Sequence, residues 1–73
     1  MVNVIKLKSR MILAGYTQKT LVAELRANGI LMTENTLSAK MNGRSQFYVE
    51  DAQAICEILG IDKSEDRADI FLA

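Results

Sequence analysis

The stretch Thr33-Glu34-Asn35-Thr36-Leu37-Ser38-Ala39-Lys40-Met41-Asn42-Gly43-Arg44 decides how the rest of the chain reads. Its bulky apolar residues are Leu37 and Met41, four apart, which places both on one side of a helix. Thr33 suits the N-cap, since its hydroxyl accepts from a backbone N–H that the first turn leaves unpaired. Gly43 suits the stop, since it takes positive φ without a Cβ clash. The outer side is then Glu34, Asn35, Ser38, Ala39 and Asn42, short and mostly polar. A merely solvated helix would more often carry Glu/Lys pairs at four-residue spacing. This face suits insertion into a groove lined with hydrogen-bonding groups.

Outward from that segment the chain reads as helices separated by glycines. Upstream, Thr17 caps a helix over about 18–27 with Leu21, Val22 and Leu25 facing inward, and Asn28-Gly29 ends it. Ile30 can pack back on its last turn, and Ile30, Leu31 and Met32 give the connection apolar anchors, so it is expected to lie packed down. Before that, residues 3–14 form a first helix through Val4, Leu7, Met11 and Ala14, with Ile5 and Ile12 beside them, Asn3 as cap and Gly15 as stop. Downstream, a polar loop from Arg44 ends in Phe47. A fourth helix over about 49–59 places Ala52, Ile55, Cys56 and Leu59 on one face, and Glu50 and Asp51 favour its N-terminus. Gly60 ends it, Ile61 packs back, and a short fifth helix runs to Ile70-Phe71-Leu72, whose apolar end caps the core or meets a second copy.

The expected fold is therefore all-α: a compact bundle of four to five short helices, one domain over residues 1–73. Proline is absent, and there are no repeats, linkers or low-complexity tracts. A lone Cys56 forbids an internal disulfide, and without histidine a zinc site has no ligand set. No apolar run approaches a membrane span of about 18 residues, and the start lacks a signal-peptide pattern, so a cytoplasmic protein is expected. Neither a glycine-rich phosphate loop nor a nucleophile with an activating base is present, which argues against an enzyme. No cofactor or small-molecule ligand is expected.

The formal net charge of +0 conceals a division. Residues 1–49 carry seven cations, Lys6, Lys8, Arg10, Lys19, Arg26, Lys40 and Arg44, against Glu24 and Glu34, a net +5. Residues 50–73 carry Lys63 and Arg67 against seven carboxylates, a net −5. A basic half around the polar-faced helix fits a polyanionic partner. The plain alternative is an ordinary solvated surface.

Gly15-Tyr16-Thr17-Gln18-Lys19-Thr20-Leu21-Val22, followed by Thr33 to Gly43 and by Phe47 to Ile61, resembles the Cro/C1-type (XRE-like) helix-turn-helix family, to which phage and prophage repressors belong. The similarity extends over about residues 4–61. It implies a lambda-repressor-like DNA-binding domain with helices 2 and 3 as the helix-turn-helix, acting as a transcription regulator on a double-stranded DNA operator. Glu34, Asn35, Ser38 and Ala39 would then meet base edges in the major groove. Gln18, Thr33, Lys40, Asn42 and Arg44 would hold phosphates, with Gln18 also bracing the third helix. Any homodimer is expected to be weak or formed on DNA.

The sequence departs from the family's pattern in three places. Where relatives commonly pair an Arg in helix 1 with a Glu in helix 3, this chain has Met11 and Met41; both halves of the pair are apolar here, so the two methionines are expected to meet. The segment joining helices 2 and 3 is longer than the usual tight turn. Tyr48 stands where a Ser or Thr cap is common.

Each candidate residue also has a plainer reading. Gln18 can be a solvent-facing helix start, Glu34 can serve the helix dipole while repelling phosphates, and Cys56 is a small buried hydrophobe. A protein–protein module of antirepressor or antitoxin type on the same fold is the rival function, favoured by the zero net charge and by Ile30-Leu31-Met32.

Overall fold

The structure, a computed structural model, describes residues 2–71. Five α-helices follow one another: α1 (Val4–Leu13), α2 (Gln18–Ala27), α3 (Glu34–Met41), α4 (Val49–Leu59) and α5 (Ser64–Phe71). There is no strand among the described residues. None of the helices is long and apolar enough to cross a membrane.

The boundaries follow from local chemistry. Asn3 Oδ1 accepts from Lys6 N at 3.2 Å and starts α1. Thr17 and Thr20 exchange bonds reciprocally at the start of α2: Thr20 N donates to Thr17 Oγ1 at 3.2 Å and Thr17 N donates to Thr20 Oγ1 at 2.8 Å. Thr33 Oγ1 accepts from Thr36 N at 3.1 Å and starts α3. At the C-termini a glycine in the left-handed region lets the chain double back. After α2, Gly29 (φ 85°) allows Ile30 N to donate to Leu25 O at 2.9 Å; after α3, Gly43 (φ 79°) allows Arg44 N to donate to Ala39 O at 2.9 Å.

Tyr48 gives α4 no side-chain cap; Asp51 supplies the missing bond from within the helix. Its Oδ2 reaches back to accept from Tyr48 N at 3.0 Å, a direct hydrogen bond added to the favourable interaction with the helix dipole.

Every helix contributes to one buried cluster, formed by Leu7, Met11, Leu21, Val22, Leu25, Met32, Leu37, Met41, Ile55, Cys56, Leu59, Ile61 and Ile70. α2 packs against both α3 and α4, while α1 packs against α5. The two ends of the chain are tied by Asn3 N donating to Ile70 O at 2.6 Å. Phe47 meets Phe71 edge to face, with ring centroids 5.3 Å apart. Met11 and Met41 both lie in the cluster.

The inward stripe of α1 is narrower than its sequence suggests. Leu7 and Met11 are buried and Val4 partly so, but Ile5, Ile12, Leu13 and Ala14 are exposed. α1 packs most closely against α5, and the rest of its apolar pattern is left to solvent. The α2–α3 connection is packed down by Ile30 and Met32 alone: Leu31, expected as a third anchor, is 90% exposed. At the other end of the chain, Ile70 is buried and Phe71 half-buried, whereas Leu72 lies outside the described residues.

Candidate nucleic-acid interface

α3 has two chemically distinct sides. Leu37, Lys40 and Met41 are buried, a spacing of three and one that forms a single inward stripe. Opposite them, Glu34, Asn35 and Asn42 are exposed, and Ser38 and Ala39 are half-buried. Asn42 Nδ2 lies 3.4 Å from Ser38 Oγ, linking two of the polar groups along that side. The face therefore offers an amide at Asn35, a carboxylate at Glu34, a hydroxyl at Ser38 and a methyl at Ala39. No other part of the described chain covers Glu34, Asn35 or Asn42.

The expected phosphate contacts divide. Gln18, at the first position of α2, is half-buried and its Nε2 lies 3.7 Å from Met41 Sδ, a weak bond that ties α2 to the inner side of α3. Thr33 is exposed, but its oxygen already caps α3 and lies 3.0 Å from Thr36 Oγ1, leaving at most its hydroxyl hydrogen to donate outward. Asn42 and Arg44 are both exposed, and no carboxylate pairs with Arg44 among the described residues.

Lys40 does not belong to this group. Only 5% of its surface is accessible. Its ammonium donates to Asp51 Oδ2 at 2.6 Å and lies 4.3 Å from the centroid of the Tyr48 ring and 6.0 Å from that of Phe47. A cation so enclosed, already neutralised by a carboxylate, has nothing left for a phosphate. The spacing from Leu37 to Lys40 to Met41 carried this signal, because residues three and four apart share a face. Asp51 was legible as a helix-start acid, but not as the partner of a lysine eleven residues earlier.

The charge division is likewise less open than the sequence implies. Lys6 Nζ lies 3.5 Å from Asp69 Oδ2 and Arg10 lies 3.2 Å from Asp66 Oδ2, so the α1–α5 contact pairs basic side chains with acidic ones. Together with Lys40–Asp51, three of the seven cations before residue 50 are matched by carboxylates after it. Lys8, Lys19, Arg26 and Arg44 remain without such partners among the described residues.

Burial pushes the Cys56 thiol above its ordinary pKa, with Glu57 adding to the rise and Arg67 opposing it, which keeps the sulfur protonated and unreactive. Among the described residues no group of acidic, cysteine or histidine side chains is arranged to hold a metal. Comparisons with protein-family models, with curated proteins and with solved structures returned no match.

Proposed function

We propose that this chain is a sequence-specific DNA-binding regulator of the Cro/C1 helix-turn-helix kind, with α2 and α3 as the motif and α3 as the element that enters the major groove. One observation carries the reading: α3 buries Leu37 and Met41 while leaving Glu34, Asn35 and Asn42 exposed, with Ser38 and Ala39 half-buried beside them. In that pose Asn35 pairs in bidentate fashion with adenine N6 and N7, Glu34 accepts from cytosine N4, Ser38 bonds a neighbouring base edge, and the Ala39 methyl meets a thymine methyl. Gln18, Thr33, Asn42 and Arg44 hold the flanking phosphates, setting register without reading sequence. Occupancy of the operator then excludes or recruits polymerase. A second copy on an adjacent half-site, about one DNA turn away, extends the footprint.

The decisive experiment is selection of bound duplexes from a random pool by the purified chain. Enrichment of a short site, single or as an inverted repeat, is the expected result; an unenriched pool refutes the proposal. A second reading, docking to another protein, has one observation in its favour. Leu31, 90% exposed, stands three residues before α3, and Tyr48 and Val49 are also exposed. Salt separates the two readings, because phosphate contacts release counterions whereas an apolar docking contact does not.

A further inference from the structure

We propose that the buried pair Lys40–Asp51 is a positioning device: it fixes the pose of α3 and of the loop that follows it, so that discrimination between DNA sequences depends on it more than stability does. The inference rests on the DNA reading above. It goes beyond that reading by giving a role in recognition to two residues that cannot touch DNA.

The pair joins the last turn of α3 to the first turn of α4. Between them lies the loop 42–48, which carries Asn42 and Arg44. One carboxylate oxygen, Asp51 Oδ2, receives both the Lys40 ammonium at 2.6 Å and the Tyr48 backbone N–H at 3.0 Å. The lysine is thus tied to a point on α4 that is itself tied to the backbone at the loop's far end. At the near end, Arg44 N and Ser45 N both donate to Ala39 O, at 2.9 and 3.3 Å. Loop and helix are held as one piece.

Stability alone does not explain this arrangement. The side chains of Lys40 and Asp51 are only 6% and 9% exposed, and desolvating two charges offsets most of their attraction. An apolar pair of similar volume would hold the two helices together about as well. It would not tie them atom to atom: apolar attraction is non-directional, whereas an ammonium must stay within bonding distance of a single oxygen. A base-reading helix tolerates displacements of only about 0.5 Å before its hydrogen bonds fail. Lys40 lies on the opposite side of α3 from Asn35 and Asn42, so a shift at the lysine turns the reading face as a whole.

The test uses the full chain and two variants. Lys40→Met/Asp51→Asn removes both charges and leaves an amide oxygen able to accept from Tyr48 N, while Lys40→Met alone retains the carboxylate. Each is measured against the selected duplex and against random duplex of equal length, with helicity and thermal unfolding recorded in parallel. The double variant is expected to remain helical, to bind random duplex as wild type does, and to lose about tenfold or more of its preference for the selected site, the equivalent of one good base contact. The single variant is expected to show the same selective loss. Wild-type preference in both variants overturns the positioning role, as does an equal loss on both duplexes, which would mark the pair as structural only. A wild-type chain that prefers no duplex overturns the DNA reading itself, and the inference with it.

Discussion

The salt dependence of DNA binding can be bounded from the structure before any site is known. A cation already neutralised by a carboxylate releases no counterion on meeting a phosphate. Lys6, Arg10 and Lys40 are in that state, at 3.5, 3.2 and 2.6 Å from Asp69, Asp66 and Asp51. Before residue 50 that leaves Lys8, Lys19, Arg26 and Arg44. At a slope of about −0.9 per phosphate contact, these four give about −3.6, so raising salt from about 50 to 200 mM weakens binding by about 150-fold. If all seven cations engaged phosphates, the slope would be about −6.3 and the loss about 6,000-fold. Arg44→Ala should lower the slope by about 0.9 and weaken specific and random duplexes alike. Fluorescence anisotropy of a labelled duplex over a salt series measures this, with the slope expressed per bound copy. A slope steeper than about −5.4, the most that these four with Lys63 and Arg67 could give, would show that the intramolecular pairs open on DNA and refute the assignment of those cations to the fold. A flat response would remove the DNA reading altogether.

Asn35→Ala should cost about 1–3 kcal/mol on the selected duplex and leave random duplex unaffected, measured by competition; equal losses on both would reassign the residue. For stability, Asp51→Asn should be the most damaging change in its pair, by about 3–5 kcal/mol in denaturant titration, because it leaves a buried ammonium without a counter-charge. Lys40→Met should cost less, since the carboxylate keeps Tyr48 N–H and the N-terminus of α4; the reverse order would show that the lysine escapes to solvent. Leu31→Ser should leave unfolding within about 0.5 kcal/mol of wild type, given 90% exposure, and should also leave DNA affinity intact. A DNA-binding loss there would extend the interface into the α2–α3 connection. Cys56 should react with thiol reagents only on unfolding. Its folded pKa lies above the unfolded one, so stability is unaffected by this group below the thiol's ordinary pKa and declines as pH rises through it. Fast labelling of the folded chain would contradict its burial.

What could be read from the sequence was what local chemistry decides. The stops at Gly15, Gly29, Gly43 and Gly60, and the caps at Asn3, Thr17 and Thr33, involve residues within one turn of each other, and all stand as expected. The polar side of α3 is legible for the same reason, since it follows from where Leu37 and Met41 must go. The misplacements are all non-local. Ile12 belongs to the apolar pattern of α1 but is 76% exposed, a matter of how the helices pack and not of local chemistry. Leu31 differs from Ile30 and Met32 only in the direction the chain takes after Gly29. Lys40 is expected among the phosphate contacts from the family resemblance, yet its spacing from Leu37 and Met41 places it inside.

That last error bears on how charge should be read in a domain this small. A count of +5 before residue 50 suggests a face built for a polyanion. Yet the elements carrying those charges pack against the acidic ones: α1 on α5, and the end of α3 against the start of α4. Part of the division is therefore spent on matching helices to one another, and the cations left over are Lys8, Lys19, Arg26 and Arg44. If the chain binds DNA, its non-specific affinity must rest on few phosphates, and a larger share of recognition must come from the uncharged groups at Asn35, Ser38 and Ala39. Recognition carried by short, directional groups demands a rigid mount. A buried ion pair that adds little to stability but holds α3 in one register supplies it.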